Sequence, residues 1–385
     1  MRRRCATRAL STRASVGDLQ ALILVGGEGT RLRPLTSTIP KPVVPLVDRP
    51  FISYMLEWLR GHGVDDVILS CGFMADGVRR VLGDGEALEL RLRYLAESEP
   101  LGTGGALRFA DELLEDRFFM LNGDVLTDID LTAQLHTHEQ TGASATLALV
   151  GVDDPSAYGL VRRNDDGSVK QFVEKPGPEQ IDTNLVNAGA YILERAVLDD
   201  MAPAGTRISI EREVFPALVG HGLFGFESDG YWLDIGTPER YLQATFDILE
   251  GAVRTEAGTA LRAAGLTSVA GATIEGQVLA PALVGTGSVI ARHATVGGRV
   301  VLGKGVTVGE GARVESSVVL DGASIGAHAT VHSAIVGPDV SIGEHCHIEQ
   351  GVVLGAGVKL GPDNTLRAGA RIFPGVELPQ GAIQF

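Results

Sequence analysis

A glycine-rich loop carrying one cation, with a second cation close behind it, stands near the start of the chain. The loop covers residues 26–31 and reads Gly-Gly-Glu-Gly-Thr-Arg, and Lys41 follows between two prolines. Glycines let backbone amides approach a phosphate closely, because no Cβ stands in the way. Arg31 can hold phosphate oxygens as a planar fork, and Lys41 can neutralise them as a point charge. This combination predicts a phosphate-binding site, because a simple tight turn would need neither cation.

Two common phosphate-binding motifs are excluded by the same loop. A Walker loop would continue into Gly-Lys-Ser/Thr, and the dinucleotide fingerprint would read G-x-G-x-x-G. Neither pattern occurs in residues 26–36. The loop therefore predicts phosphate binding of another kind.

The elements around the loop are predicted from their apolar patterns. An apolar run over residues 21–25 predicts a buried parallel strand, and apolar residues at helical spacing over 51–59 predict a helix ending at Gly61. Further buried strands are expected over 67–69 and 118–121. This order of elements predicts a Rossmann-like, doubly wound, mainly parallel α/β sheet. Such sheets bind ligands beyond the carboxyl ends of their strands, where the glycine-rich loop falls.

The rest of the first 270 residues gives weaker signals. Strand-like segments over 145–193 predict a lid or subdomain above the sheet. Thr237 followed by Pro238 predicts the start of a helix, with threonine as N-cap and proline at the first helical position. Residues 251–270 are rich in Ala, Gly and Thr, show no clear apolar face, and are interpreted as a linker.

The last third of the chain repeats every six residues. Aliphatic side chains keep this step from Val278 to Leu320, and after slips of one residue they continue through Ile325 and Val331 and then from Val336 to Leu378. Glycine often follows the aliphatic position directly. The pattern is typical of a parallel β-helix in which each side of a triangular coil takes six residues. The predicted domains are a disordered basic extension (1–18), a catalytic domain (19–250), the linker (251–270) and a β-helix (271–385).

Composition limits the class of protein. A hydrophobic content of 44% excludes a mainly disordered chain, and a net charge of −15 argues against a nucleic-acid binder. No apolar run approaches the roughly 20 residues needed to span a bilayer, so no membrane association is expected. Three widely spaced cysteines (Cys5, Cys71 and Cys346) are expected to be reduced thiols in a cytoplasmic protein. The basic start, residues 1–18, is excluded from the fold, with a transit peptide or basic anchor as the alternative.

The chain resembles the sugar-nucleotide pyrophosphorylases, a family of nucleotidyltransferases, over nearly all of residues 20–385. The likeness starts with the glycine-rich loop and Pro40-Lys41-Pro42, and the further matching motifs follow it along the chain. They are Glu99–Gly105, Asn122-Gly123-Asp124, Glu174-Lys175-Pro176, Asn187-Ala188-Gly189, Ile210–Glu213 and Trp232–Gly236. Within the family the chain is most similar to the mannose-1-phosphate guanylyltransferase branch. A left-handed β-helix at the C-terminus is typical of the guanylyl and adenylyl branches.

The resemblance implies a role for each matching position. Asp124 and Asp234 would hold Mg²⁺, a hard ion that prefers carboxylate and phosphate oxygens. Arg31 and Lys41 would be the catalytic cations. The implied nucleotide-binding residues are Gly26, Gly27, Gly29, Thr30, Gly102, Thr103 and Gly104, and the implied sugar-phosphate-binding residues are Gly159, Glu174, Lys175, Asn187 and Gly189.

The reaction implied is attack by a sugar 1-phosphate on the α-phosphorus of a nucleoside triphosphate. GTP and mannose 1-phosphate are the first expectation, and another base, or a glucose-configured or carbocyclic 1-phosphate, is the alternative within the same chemistry. Two readings from other classes are a hexapeptide acyltransferase and a non-catalytic subunit that binds a nucleotide sugar. The first would need no glycine-rich phosphate loop, and the second should have lost Arg31, Lys41, Asp124 or Asp234. A homo-oligomer formed through the β-helix is expected, because terminal coils leave open sheet edges.

Overall fold

The computed structural model describes residues 15–16, 19–72, 74–269, 271–367 and 369–384. Most of the predicted basic extension lies outside these residues. Within that segment, Val16 is described and packs in the core beside Leu19. The strands of the α/β part are β1 (Gln20–Leu24), β2 (Pro45–Leu46), β3 (Arg49–Pro50), β4 (Asp66–Cys71), β5 (Arg91–Ala96), β6 (Arg117–Asn122), β7 (Val125–Thr127), β8 (Ala145–Gly151), β9 (Gly159–Arg163), β10 (Val169–Glu174), β11 (Leu185–Glu194), β12 (Leu223–Glu227) and β13 (Trp232–Asp234).

Helices lie between some of these strands, including the helix that the sequence predicts to end at Gly61. They are α1 (Phe51–Gly61), α2 (Ala75–Leu82), α3 (Gly102–Phe109), α4 (Leu131–Thr141), α5 (Phe215–Leu218), α6 (Pro238–Glu250) and α7 (Glu256–Ala263). Single 3₁₀ turns occur at Thr30–Leu32, Leu35–Ser37, Lys41–Val43, Glu86–Leu88, Asp111–Leu113 and Pro178–Gln180, a longer one covers Arg195–Asp200, and a π-helical turn, Ile210–Val214, leads into α5. The predicted start of α6 is confirmed, because the Thr237 side chain accepts a hydrogen bond from the backbone N–H of Arg240.

A nine-stranded, mainly parallel sheet forms the centre of the α/β part. Seven of its strands run in the order β10-β9-β11-β6-β1-β4-β5, β8 also pairs with β11, and β12 pairs with β8. The strands β6, β1, β4 and β5 are mutually parallel, and β11 runs antiparallel to β6. The predicted sheet class is therefore confirmed. The carboxyl ends of β1, β5 and β6 meet along one edge, with β1 between the other two.

The segment interpreted as a linker, residues 251–270, contains the helix α7. Thr255 caps this helix by accepting from the backbone N–H of Gly258, and Ala257 and Leu261 are buried in a core shared with α6. The first strand of the β-helix, at Thr267–Ser268, also lies before residue 271. The apolar face of α7 is short and consists partly of alanine and glycine, so its helical period is weak in the sequence.

The last part of the chain forms three parallel sheets of seven, seven and six short strands, which confirms the parallel β-helix. Its strands are β14 (Thr267–Ser268), β15 (Thr273–Ile274), β16 (Gln277–Leu279), β17 (Ala282–Val284), β18 (Val289–Ile290), β19 (Thr295–Gly297), β20 (Val300–Leu302), β21 (Thr307–Val308), β22 (Arg313–Glu315), β23 (Val318–Val319), β24 (Ser324–Ile325), β25 (Thr330–His332), β26 (Ile335–Val336), β27 (Ser341–Ile342), β28 (His347–Ile348), β29 (Val353–Leu354), β30 (Lys359–Leu360), β31 (Thr365–Leu366), β32 (Arg371–Ile372) and β33 (Glu377–Leu378).

The repeat does slip by one residue near Leu320, as predicted, but the inward-facing residue of this coil is the one before it. Val319, not Leu320, pairs with Leu302 and occupies the inward position of its coil. Leu320 instead faces the α/β part, where it is buried in the core that also contains α6 and α7. Both residues are aliphatic, so spacing alone could not tell the inward position from the outward one.

Candidate functional site

A cavity of about 450 Å³ opens at the carboxyl ends of β1, β5 and β6. Most of the residues that the sequence assigns to the nucleotide lie in its wall. The lining residues are Leu24, Val25, Gly26, Gly27, Gly29, Thr30, Arg31, Lys41, Pro42, Glu97, Pro100, Gly102, Thr103, Ala106, Asn122, Gly123, Asp124 and Gly236. The fold thus brings residues from four separate stretches of sequence to one site.

The glycine-rich loop is folded back on itself at the mouth of this cavity. Gly29 adopts the left-handed conformation (φ 62°), which favours glycine, and its carbonyl accepts from the Thr36 hydroxyl at 2.7 Å. Leu32 anchors the loop in the core. The Arg31 guanidinium lies over Gly236, where an added Cβ would be 2.6 Å from Nη2. A larger residue at position 236 would therefore force the guanidinium to move from this position.

Lys41 and two carboxylates form the charged end of the cavity. Lys41 is buried, and its Nζ donates to Asp124 Oδ2 at 2.8 Å. Asp234 is on β13, which pairs with β7 so that Asp234 stands opposite Val125, next to Asp124. Burial, and then repulsion by Asp124, raise the pKa of Asp234 above the usual value for an aspartate. The ammonium of Lys41 and the guanidinium of Arg31 oppose that rise.

The charged end fits Mg²⁺ only if a substrate completes its coordination. Among the described residues, no group of three or more His, Cys, Asp or Glu side chains could hold a metal ion by itself. Magnesium is commonly held by one or two carboxylates together with substrate phosphates and water, which matches the pair Asp124 and Asp234. A divalent cation would also relieve the repulsion that raises the pKa of Asp234.

The opposite end of the cavity contains a carboxylate that no motif in the sequence predicts. Glu97 follows β5, so it lies on the other side of the β1 end from Asp124. Its Oε1 accepts from the Ser70 hydroxyl at 2.9 Å, and its Oε2 accepts from the backbone N–H of Leu101 at 3.1 Å. Each oxygen retains a lone pair for a further donor. The only signal in the sequence is the position of Glu97 just before the Glu99–Gly105 motif.

The predicted base-binding loop at the start of α3 is divided between two environments. Gly102 and Thr103 line the cavity. Gly104 does not, because it packs against Ile208, whose carbonyl accepts from the Gly104 backbone N–H at 3.0 Å. The Thr103 hydroxyl donates to Glu211 at 2.7 Å, and the charge of Glu211 acts on the predicted sugar-side residue Glu174, whose pKa it raises.

A bulge in β11 carries two of the predicted sugar-side residues. The register of β11 on β8 shifts between Asn187 and Tyr191, and bulges of this kind re-aim the side chains near binding sites. Asn187 donates to the Tyr191 hydroxyl at 2.8 Å and accepts from the Gly189 backbone N–H at 3.1 Å. The Trp232 indole N–H donates to the Ala188 carbonyl at 2.8 Å, so the bulge is tied to the strand that carries Asp234.

The remaining sugar-side residues lie where β9 and β10 pair. Gly159 is opposite Glu174, and an added Cβ there would be 3.1 Å from Glu174 Oε2. Burial, and then repulsion by Glu211, raise the pKa of Glu174. Lys175 is exposed and holds a left-handed backbone (φ 51°), a strain of roughly 1–3 kcal/mol that is common at functional sites.

Two known protein families match this chain. Residues 20–251 match the Nucleotidyl transferase family, and residues 278–382 match the GMPPB C-terminal domain. The chain belongs to the nucleotidyl transferase family. The family resemblance of the sequence is thereby confirmed.

Relatives of this nucleotidyltransferase align with most of its chain. A mannose-1-phosphate guanylyltransferase of Mycobacterium tuberculosis is 37% identical over 96% of this chain and 98% of its own length. The mannose-1-phosphate guanylyltransferase 1 of Arabidopsis thaliana is 38% identical over 78% of this chain and 80% of its own. The crystal structure of HddC from Yersinia pseudotuberculosis is similar, with a TM-score of 0.52 and 32% identity over 59% of this chain and 97% of that chain. A second crystal structure, of HddC complexed with GMP-PN, has a TM-score of 0.51 and 30% identity with the same coverage. The chain is a sugar-1-phosphate nucleotidyltransferase.

The nucleotidyltransferase thus has its predicted residues in two adjoining groups. The nucleotide-side residues line the cavity, Gly104 excepted, and the sugar-side residues surround the β11 bulge and the β9–β10 pair. Asp124 lines the cavity, and Asp234 lies between the two groups. No helix in the described part of the chain is both long and apolar enough to cross a membrane.

Proposed function

We propose that the enzyme condenses GTP with mannose 1-phosphate to give GDP-mannose and pyrophosphate, with Mg²⁺ held by Asp124 and Asp234. The observation that carries the proposal is the polarity of the cavity. Arg31, Lys41 and Asp124 stand at one end, and the carboxylate of Glu97 stands at the other. A triphosphate placed at the charged end would direct its base toward Glu97.

The Glu97 carboxylate favours guanine over the other common bases. An ionised carboxylate only accepts hydrogen bonds, and it offers two oxygens side by side. Guanine presents a ring N–H next to an amino group, so it can donate to both oxygens in parallel. Uracil and thymine instead flank their ring N–H with carbonyl oxygens, which a carboxylate repels. The complex of the related HddC with GMP-PN supports this choice of base.

Mannose 1-phosphate is proposed from the relatives and from the sugar-side group. The relatives named as mannose-1-phosphate guanylyltransferases extend over most of this chain. Glu174 and the bulge at Asn187 offer acceptors for sugar hydroxyls, while exposed Lys175 is available for the 1-phosphate. A glucose-configured or carbocyclic 1-phosphate remains the alternative substrate within the same chemistry.

The chemistry needs no protein nucleophile. An oxygen of the sugar 1-phosphate, already ionised at neutral pH, forms a bond to the α-phosphorus of the triphosphate. The bond from the α-phosphorus to the bridging oxygen breaks, and pyrophosphate leaves with the electron pair. Arg31 and Lys41 stabilise the charge that develops on the leaving group, and Lys175 aligns the incoming phosphate. Bound Mg²⁺ would supply further charge neutralisation at the reacting phosphates.

The substitution Glu97→Gln tests the choice of base. The glutamine amide has the same shape but turns one acceptor into a donor, so it faces the guanine N–H groups unfavourably. A hydrogen bond to a charged group contributes about 1.5–3 kcal/mol, so we expect kcat/KM for GTP to fall by about 10- to 100-fold. The ratio of GTP to UTP and dTTP use should fall with it. Initial rates with each triphosphate measure both quantities.

Glu99→Gln is the matched control for that substitution. Glu99 is exposed two residues away and does not line the cavity, so its loss should leave the base preference unchanged. An unchanged GTP preference in Glu97→Gln would show that another group reads the base. The proposal of GTP would then lose its structural support.

We further propose that the enzyme is a homo-oligomer joined through its β-helix. In the last coils Phe373 is 50% exposed and Val376 is 37% exposed, and exposed apolar groups of this kind mark candidate interfaces. Phe385 is a further apolar residue of this region of the sequence, and it lies outside the described residues. Light scattering should give a mass at least twice the 40.5 kDa of one chain. A single-chain mass at micromolar concentration would contradict this proposal.

A further inference from the structure

One face of the β-helix packs against the α/β part through a ladder of equivalent residues. At successive coils the ladder holds Leu283, Val301, Val318, Ile335 and Val353, each paired with the next. The last four of these are buried in the core shared with α6, α7 and Leu32, the residue after the glycine-rich loop, and Leu283 packs against that core. An aliphatic residue at this position in the next coil would continue the same contact.

The next coil instead places Arg371 at this position, paired with Val353. Arg371 Nη1 donates to the backbone carbonyl of Arg31 at 3.0 Å and to that of Arg33 at 3.2 Å. The residues bonded are 340 and 338 positions away in sequence. The β-helix therefore forms hydrogen bonds to the backbone of the loop that carries the proposed catalytic Arg31.

The loop cannot satisfy the Arg31 carbonyl by continuing its own turn. It begins as a 3₁₀ turn, in which Leu32 donates to the Gly29 carbonyl and Arg33 donates to the Thr30 carbonyl. The next donor in this series would be residue 34, which is proline and has no N–H. Arg371 supplies the missing donor from the other domain.

We infer that Arg371 is a positioning residue for nucleotidyl transfer, acting through the loop that holds Arg31. The inference rests on the proposed role of Arg31 at the triphosphate. The backbone around Arg31 is held at three consecutive residues. The Leu32 side chain is buried, and the carbonyls of Arg31 and Arg33 accept hydrogen bonds from Arg371. The Arg31 guanidinium is thereby held over Gly236. Small errors in such placement reduce rates strongly, because catalysis depends on correct orientation.

Arg371→Ala is expected to raise the KM for the triphosphate and to lower kcat/KM for the triphosphate by about tenfold, the effect of losing one or two hydrogen bonds. The KM for the sugar 1-phosphate should stay within about twofold. Arg371 is exposed, so the melting temperature and the oligomeric mass should change little. Since a single nitrogen makes both bonds, Arg371→Lys should recover most of the lost activity.

Arg367→Ala is the matched control. Arg367 is an exposed arginine of the same region, but it lies near Glu349 of the β-helix, with 3.6 Å between Nε and Oε1. We expect wild-type kinetics from it. Equal losses in Arg367→Ala and Arg371→Ala would indicate a general effect of charge and would overturn the inference.

A double-mutant cycle separates this inference from the proposed function. If Arg371 acts through Arg31, the substitution Arg371→Ala should cost little further activity in an Arg31→Ala background. Fully additive losses would overturn the positioning role. If Arg31→Ala is impaired but Arg371→Ala has wild-type kinetics, this inference fails and the proposed function stands. If Arg31→Ala itself has wild-type kinetics, the proposed role of Arg31 fails, and the inference fails with it.

Discussion

Asp124→Asn should reduce kcat by at least about 10²- to 10³-fold, the effect typical of removing one electrostatic group from a transition-state site. Asparagine keeps the shape of the side chain but removes the charge that we assign to Mg²⁺ binding. It also removes the ionised partner of Lys41, a buried ammonium 2.8 Å away. Turnover at saturating GTP and sugar 1-phosphate, measured over a range of Mg²⁺ concentrations, gives the size of the loss.

The controls for Asp124→Asn address folding and metal dependence separately. Circular dichroism and the melting temperature should show a folded protein. Asp229→Asn, a change at an exposed aspartate outside the cavity lining, should keep wild-type turnover. EDTA should stop the wild-type enzyme reversibly. Full activity of Asp124→Asn in the presence of the chelator would remove the metal role from this site.

Arg31→Ala should lower kcat/KM for the triphosphate by about 10²-fold or more, because a charge-assisted contact to phosphate is lost. Lys175→Ala should instead raise mainly the KM for the sugar 1-phosphate. The two variants should differ because the two side chains occupy different parts of the site. Arg31 lines the nucleotide cavity, and Lys175 directly follows β10, among the sugar-side residues. Michaelis constants for both substrates in both variants give the comparison.

Lys170→Ala, a change at an exposed lysine earlier on β10, is the control for the loss of a cation. It should affect neither Michaelis constant. If Arg31→Ala and Lys175→Ala impair the use of both substrates equally, the division of the site into two phosphate-binding ends is wrong.

Local periodicity made the main elements predictable. The buried strand β1 and the capped start of α6 depend on residues that are neighbours in sequence, so their patterns are complete within a short window. The six-residue repeat likewise corresponds directly to the sides of each β-helix coil. The motif after β6 also predicted that Asp124 lies beside the glycine-rich loop, because parallel strands bring their carboxyl ends to one edge.

What the sequence left out depends on contacts between distant segments. Glu97 becomes a candidate for base recognition only because β5 lies two strands from β1, which no local pattern reveals. Arg371 interrupts an aliphatic ladder whose members are about a coil apart, and its partners are at the other end of the chain. The inward position of Val319 was hidden because Leu320 is equally aliphatic.

The most direct test of the account is the product formed by the wild-type enzyme. With Mg²⁺, the enzyme is incubated with GTP, ATP, UTP, CTP or dTTP, each paired with mannose 1-phosphate, glucose 1-phosphate or a cyclitol 1-phosphate, and pyrophosphate and the nucleotide sugar are quantified. We expect GTP with mannose 1-phosphate to give equimolar pyrophosphate and GDP-mannose, with a kcat/KM at least about tenfold above that of any other pair, a difference of about 1.4 kcal/mol. Absence of pyrophosphate and nucleotide sugar from every pair would contradict the account.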